Sequence, residues 1–112
     1  MYSNEEIKQL TYLIVEVADP DKVILFGSYV YGTPNEKSDL DFLVIKNGID
    51  FSRDDHADLE TALILKKWQK NIRAKYDVFF QTERQVNESV DNGGAFVDAV
   101  KKGRVVYERI HQ

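Results

Sequence analysis

The 112 residues carry a formal net charge of −4, include no cysteine, and have the hydrophobic and charged content of an ordinary globular domain. This length suits one domain, residues 1–112. The absence of cysteine excludes disulfides and thiolate metal sites. The negative net charge makes direct binding to nucleic acid unexpected. The N-terminus lacks the basic and apolar regions of a signal peptide, and no apolar run is long enough to cross a membrane, so we expect a cytoplasmic protein.

The first half of the chain has distinct signals for the starts and ends of helices and strands. Ser3 and Glu6 have the spacing of a capping box, which opens a helix, and apolar residues then recur at helical spacing. A run of four apolar residues that ends at Phe26 is typical of a strand covered on both faces. In chain order we predict a helix at 4–18, a strand at 23–26, a short helix at 28–32, a loop at 33–37 and a strand at 39–45.

The second half of the chain continues this alternation. In chain order we predict a helix at 54–70, a strand at 75–81, a helix from 82 to about 90, a helix at 95–102 and a last strand at 104–107. The core contacts expected of the long helix and the residues after it are Leu59, Leu63, Trp68 and Ile72. The pattern predicts an α/β (α+β) fold, with helices packed on a small mixed β-sheet.

A basic segment follows the middle of the long predicted helix. Residues 66–75 contain five cations and no acid. Charge runs usually face solvent, so we interpret this segment as the solvated surface of the helix and of the loop after it. A phosphate-binding or partner-binding patch is the alternative interpretation.

Two aspartates begin the second predicted strand. A strand directs residues i and i+2 to the same face, so the carboxylates of Asp39 and Asp41 project together, while Leu40 and Phe42 point into the core. Two adjacent carboxylates repel each other, and a bound divalent cation reverses this repulsion. Carboxylate oxygens suit Mg²⁺, which keeps open positions for water and for substrate phosphates.

A Gly-Ser turn precedes these acids in the chain. Gly27 and Ser28 lie where a buried strand leads into a short helix. A helix N-terminus offers free backbone N–H groups to a phosphate, and Gly27 has no side chain to keep a phosphate away. The hydroxyl of Ser28 can donate a hydrogen bond to a phosphate or cap the helix. The two features together suggest a phosphate cradle beside a metal-binding acid pair.

The segment GSYVYGTPNEKSDLDFLVI, residues 27–45, resembles the signature of the DNA polymerase β-like nucleotidyltransferase superfamily. That signature is Gly-Ser, ten residues, and then Asp-x-Asp, and it matches at Gly27, Ser28, Asp39 and Asp41, with a serine, Ser38, just before the first acid. The resemblance extends over residues 4–107. It implies a nucleotidyltransferase-like fold and a nucleotide-binding role for Gly27, Ser28 and Ser38.

The resemblance also implies a third acid on a later strand. Asp77, in the segment KYDVFF, is the candidate, because it starts the strand after the long helix. Asp39, Asp41 and Asp77 are then the predicted catalytic and metal-binding residues, with Mg²⁺ or Mn²⁺ as the cofactor and ATP as the substrate. Asp77 either binds metal or accepts the proton of the attacking hydroxyl.

The chain departs from many relatives at two positions that are often basic. Here Tyr29 and Tyr31 occupy them. If positive charge at these positions helps to hold the triphosphate, then its loss weakens binding unless Lys37 replaces it. The two tyrosines are expected to pack within the fold, and stacking on a base is the alternative.

The small size of the chain indicates which branch of the superfamily it resembles. The minimal nucleotidyltransferases are antitoxins of toxin–antitoxin pairs, and each acts with a small helical partner, a ribonuclease toxin of the HEPN class. The resemblance implies that AMP moves from ATP to a tyrosine of that partner, and either the partner or a homodimer would close the open site. Two alternatives are kept: a binding module that neutralises the partner by contact alone, and a transferase that acts on a small molecule or RNA.

Overall fold

The computed structural model describes residues 2–35, 38–48 and 53–110, and every element predicted from the sequence is present there. The predicted capping box at Ser3 is formed, and Thr82 forms a second one with Gln85 at the start of the helix predicted from residue 82. In chain order the elements are α1 (Asn4–Ala18), β1 (Lys22–Phe26), α2 (Ser28–Tyr31), β2 (Leu40–Ile45), α3 (Arg53–Gln69), β3 (Tyr76–Gln81), α4 (Glu83–Asp91), α5 (Val97–Lys102) and β4 (Arg104–Glu108).

The strands of the described residues form one mixed sheet in the order β3-β2-β1-β4. β1 is antiparallel to both β2 and β4, whereas β2 and β3 are parallel. Parallel neighbours need a crossover connection, and α3 provides it. The predicted mixed sheet with packed helices is therefore confirmed.

One face of the sheet is covered by α1 and α3. Alternate residues of the central strands point to this face, among them Leu25 and Phe42, and both are fully buried. The helices contribute Leu10 and Leu63, which are also buried. The apolar run of β1 is covered on both faces as predicted, because Ile24 points the opposite way into a second cluster.

The other face is covered only in part. Its apolar cluster joins Leu43 and Ile45 of β2 to Val86 of α4 and Ala99 of α5. Asp41 precedes Leu43 by two residues and therefore shares its face. Asp41 is only half-buried, whereas Leu43 is fully buried, so the cover ends between these two residues.

One predicted core contact is wrong. Trp68 is 76% exposed, although Leu63 is buried and both Leu59 and Ile72 pack against the core as predicted. Five residues of helix rotate a side chain by about 140°, so Trp68 faces away from the side of α3 that Leu63 buries. In the described residues no helix has the length and apolarity to span a membrane.

Candidate active site

The structure brings the three predicted acids to one region of the partly covered face. Asp41 of β2 is the register partner of Asp77 of β3, so the two side chains lie side by side on neighbouring parallel strands. Asp39 lies two residues before Asp41, immediately before β2. Asp77 is exposed, whereas Asp39 and Asp41 are half-buried. The acids are thus held by the sheet and remain open to solvent.

The pKa of the Asp41 carboxyl is raised above its ordinary value. Burial is the main cause, and the negative charges of Asp77 and Asp39 add to it. Both effects make the ionised form of Asp41 less favourable in the native protein. A cation bound at this place would relieve both effects, because it neutralises the repulsion and replaces lost hydration.

Gly27 lies directly against Asp41. Phe26 and Asp41 are register partners in the antiparallel pair of β1 and β2, and Gly27 follows at the end of β1. Its backbone has φ 82° and ψ −158°, a conformation essentially restricted to glycine. A methyl group added at Gly27 would collide with Oδ2 of Asp41 and lie 3.2 Å from its Cγ. Glycine is therefore required at this position, both to form the turn and to leave room for the carboxylate of Asp41.

The short helix α2 is wound tightly after this glycine. The backbone N–H groups of Val30 and Tyr31 both donate to the carbonyl of Gly27, at 3.0 and 3.2 Å. The N–H of Gly32 donates to the carbonyl of Ser28 at 3.2 Å, and a Cβ on Gly32 would lie only 2.8 Å from the Cα of Ser28. The absence of a side chain at Gly32 thus permits the tight turn. The first amides of α2 have no intrahelical acceptor, which leaves them available to a phosphate.

Ser38 shapes the chain just before the first acid. Its hydroxyl oxygen accepts a hydrogen bond from the backbone N–H of Asn35 at 3.0 Å, and its own N–H donates to the carbonyl of Asn35 at 3.0 Å. This turn leads directly into Asp39. A direct nucleotide contact by Ser38 stays a prediction.

The two tyrosines at often-basic positions have different surroundings. The ring of Tyr29 stacks on that of Tyr2 with centroids 5.8 Å apart, and its hydroxyl accepts a hydrogen bond from the Tyr2 N–H at 3.1 Å. Tyr29 is therefore a packing residue. Tyr31 is 40% exposed, and Lys102 Nζ lies 5.9 Å from the centre of its ring. Lys37, considered above as a replacement cation, lies outside the described residues.

Lys102 is a feature that the sequence interpretation missed. It comes from the C-terminal end of α5 and brings a positive charge to the ring of Tyr31. The two residues are far apart in the chain, so no local pattern links them. Only the packing of α5 against β1 brings this lysine close to Tyr31.

The acids fit a magnesium or manganese ion by their chemistry. Among the described residues, no three or more His, Cys, Asp or Glu side chains are grouped so that they could hold a metal ion. Magnesium is usually held by one or two carboxylates together with substrate phosphates, and rarely by a cage made only of protein. Asp39 and Asp41 can provide those carboxylates, and a triphosphate bound at Gly27 would lie close enough to provide further oxygens.

Three phenylalanine rings separate the acids from the apolar cluster on the same face. Phe26 contacts Phe79 and Phe96 with ring centroids 5.8 and 6.4 Å away, and Phe79 and Phe96 are 5.8 Å apart. Phe79 lies two residues after Asp77 and therefore shares its face. The rings form an apolar wall on one side of Asp41, in keeping with its burial.

A groove of about 610 Å³ lies beyond Asp39 and Asp77, between α3 and β3. It is also lined by Glu60, Ile64, Lys67 and Trp68 of α3 and by Lys75, which precedes β3. Lys67 Nζ lies 5.1 Å from the centre of the Tyr76 ring. This groove was not predicted, because it depends on how α3 packs beside the edge of the sheet.

Comparisons with known proteins identify the fold and the family. No curated protein is significantly similar to the chain. One similar structure is the crystal structure of a protein from Sulfolobus solfataricus that is assigned as a nucleotidyltransferase. The match has a TM-score of 0.58 and 22% sequence identity, and it covers 93% of this chain and 84% of that one. The two proteins therefore share the same fold. The nucleotidyltransferase domain family matches residues 5–106. With nearly its whole length matched, the chain belongs to the nucleotidyltransferase domain family.

Proposed function

We propose that this protein transfers AMP from ATP to a hydroxyl group of a partner protein. The observation that carries the proposal is the order of groups across three neighbouring strands. The Gly27 turn ends β1, Asp41 lies on β2 against that turn, and Asp77 lies beside Asp41 on β3. This order suits a reaction in which a triphosphate binds on one side of the acids and an acceptor on the other.

Each group then has a role in the transfer. The backbone amides after Gly27 bind the phosphates, and Asp39 and Asp41 hold Mg²⁺ or Mn²⁺. When bound, the metal supplies positive charge that balances the charge building up on the phosphates. The acceptor oxygen bonds to the α-phosphorus, the bond from that phosphorus to the bridging oxygen breaks, and pyrophosphate leaves with the electron pair. Asp77 accepts the hydroxyl proton.

The identity of the acceptor follows from the resemblance to minimal nucleotidyltransferases. The proposed partner is a small helical protein of the HEPN class, and this chain would be the antitoxin of the pair. The net charge of −4 gives no general attraction for RNA, which favours a protein acceptor. The openness of Asp77 is consistent with a large acceptor, since a partner surface can cover it.

A second candidate function is a binding module without catalysis. Tyr29 is committed to packing against Tyr2, and Tyr31 replaces a residue that is often basic, so the turn has fewer charges of its own to hold a triphosphate. In that case the protein neutralises its partner by contact alone. The two functions differ in whether the acids are needed.

The test is incubation with ATP, Mg²⁺ and a small helical protein encoded beside this chain, followed by intact-mass measurement of that protein. We expect an added AMP with the wild type and a loss of transfer by orders of magnitude in Asp39→Asn. Asp91→Asn, at an exposed position in α4, is the matched control and should retain activity. An unmodified partner that is still neutralised by Asp39→Asn would favour the binding module.

A further inference from the structure

We propose that the outer face of α3 binds the same face of a second copy of this chain, with the two α3 helices antiparallel about a two-fold axis. The outer face is the side of α3 that points away from the core, and all five of its residues are exposed: Ala57, Thr61, Ile64, Leu65 and Trp68. The inference concerns self-association and does not depend on the proposed transfer.

The outer face has the spacing of a helix–helix contact. Ala57, Thr61, Ile64 and Trp68 follow one another at intervals of four, three and four residues, which is the pattern of the a and d positions of a heptad repeat. Residues at this spacing form one stripe along a helix. Leu63 lies on the opposite side of α3 and is buried in the core. The helix therefore has two stripes, and the outer one is not covered by the described residues.

The large side chains of the outer face have no packing role within the described part of the chain. Ile64, Leu65 and Trp68 are 50%, 58% and 76% exposed, and none of them belongs to a core cluster. Three large apolar side chains exposed within about one turn of helix are typical of a surface that contacts another protein. A helix with the same stripe would cover them.

Antiparallel pairing of two copies places large residues against small ones. The stripe runs in opposite directions on the two helices, so its first residue faces the last residue of the other copy. Trp68 then packs on Ala57 of the second copy, and Ile64 packs on Thr61 of the second copy. Each layer of the contact holds one larger and one smaller side chain, which lets the helices approach closely. Parallel pairing would instead place the two copies of Trp68 against each other.

The charges beside the stripe are complementary in the same arrangement. Glu60 and Lys67 are seven residues apart, so they lie on one flank of the outer face, about two helical turns from each other. A two-fold axis across the antiparallel helices brings this flank against the same flank of the second copy, in the reverse direction. Glu60 of each copy therefore faces Lys67 of the other, and two pairs of opposite charges form.

These two charges favour a second copy over a partner of one charge sign. Among the described residues, neither Glu60 nor Lys67 forms an ion pair. Lys67 Nζ lies 5.1 Å from the centre of the Tyr76 ring, which keeps the lysine on this flank. An acidic partner would be repelled by Glu60, and a basic partner would be repelled by Lys67. A second copy provides the opposite charge at both positions.

The contact would also affect the groove beside β3. Glu60 and Lys67 line that groove, so the grooves of the two copies open on the same side of the helix pair. Ile64 and Trp68 line it as well, and the contact would cover part of them. Asp77 belongs to the sheet and is not part of the contact. Self-association would therefore change the α3 side of the groove without using an acid of the candidate active site.

The test is sedimentation of the whole chain over a range of concentrations, together with the emission of Trp68, which is the single tryptophan of the chain. We expect a monomer in dilute solution and a dimer that forms in the micromolar range, since a contact of one short helix is small. Trp68 becomes covered in that dimer. Its emission should therefore shift to shorter wavelength over the same range of concentrations.

Charge reversal tests the arrangement of the two helices. Lys67→Glu should weaken self-association by about tenfold, because both pairs become repulsive, and Glu60→Lys should weaken it equally. An equal mixture of the two variants should associate as strongly as the wild type, because each variant supplies the charge that the other needs. Recovery in the mixture also shows that both variants are folded. Lys101→Glu is the matched control, because it changes the net charge as Lys67→Glu does but lies exposed on α5, and it should associate like the wild type.

Several results would overturn the proposal. A wild type that stays monomeric at every concentration is one, and a dimer that leaves the emission of Trp68 unchanged is another. Equal association of Lys67→Glu and the wild type would also contradict it, as would a mixture of the two variants that does not associate. If the chain alone stays monomeric while a helical partner protein shifts the emission of Trp68, then the outer face binds that partner and not a second copy.

Discussion

Replacing Gly27 by alanine tests how the turn after β1 controls Asp41. The backbone at Gly27, with φ 82° and ψ −158°, lies in a region where any other residue costs about 1–3 kcal/mol. A domain of this size loses about 4 °C in Tm for each kcal/mol. Strain alone therefore predicts a fall of about 4–12 °C in Tm. The added methyl group also collides with Oδ2 of Asp41, so the carboxylate or the turn must move.

The displacement should be visible in binding and activity as well as in stability. A shift of about 1 Å in a positioned group can reduce activity about a hundredfold. Gly93→Ala is the matched control, because Gly93 also has a positive φ, 67°, but nothing lies within 4 Å of its added Cβ. Thermal unfolding and calorimetric titration with Mn²⁺ and an ATP analogue measure both effects. If Gly27→Ala bound metal and nucleotide as tightly as Gly93→Ala, the reasoning about Asp41 would be refuted.

Three further substitutions test the charge, the core and a cap. Asp41→Asn should raise the Tm of the metal-free protein at neutral pH, because the raised pKa of Asp41 means that its charge destabilises the native state. The gain in Tm should vanish at acid pH, where the carboxyl of the wild type is protonated. An equal Tm of the two proteins at neutral pH would contradict this. Leu63→Ala should cost about 2–5 kcal/mol in denaturant unfolding, since Leu63 is 1% exposed, and a loss below that range would show that the site collapses readily. Thr82→Ala should cost about 1 kcal/mol by the same measurement, because its hydroxyl accepts from the Gln85 N–H at 3.2 Å; no loss would mean that the cap is replaced by water.

The elements of the fold could be predicted because their signals are local. The capping box at Ser3 needs only the spacing to Glu6, and the strand ending at Phe26 needs only a short apolar run. The alternation of side chains along β2 also requires no tertiary information, and it correctly predicts that Leu40 and Phe42 point into the core. The relation of Asp77 to the first two acids came from the family resemblance, and the register of β2 with β3 places it beside Asp41.

The features that could not be predicted depend on packing between distant segments. The strand order β3-β2-β1-β4 makes β3 an edge, and that edge together with α3 creates the groove. The prediction for Trp68 is wrong because α3 has apolar residues on more than one side, and the sequence alone does not say which side faces the core. The approach of Lys102 to Tyr31 depends on how α5 docks on β1, and the intervening sequence gives no signal of that docking.

The same alternation that builds the core also determines the character of the site. β2 buries Leu40 and Phe42 on the face under α1 and α3, and this leaves Asp41 on the face that α4 and α5 cover only in part. Asp41 is consequently held close to apolar rings and to two other carboxylates, where its charge is unfavourable without a counter-ion. The proposed binding of a cation and a triphosphate would remove that penalty in the folded protein and could not do so in the unfolded chain. If the site binds these ligands as proposed, ligand binding and native stability are coupled through Asp41.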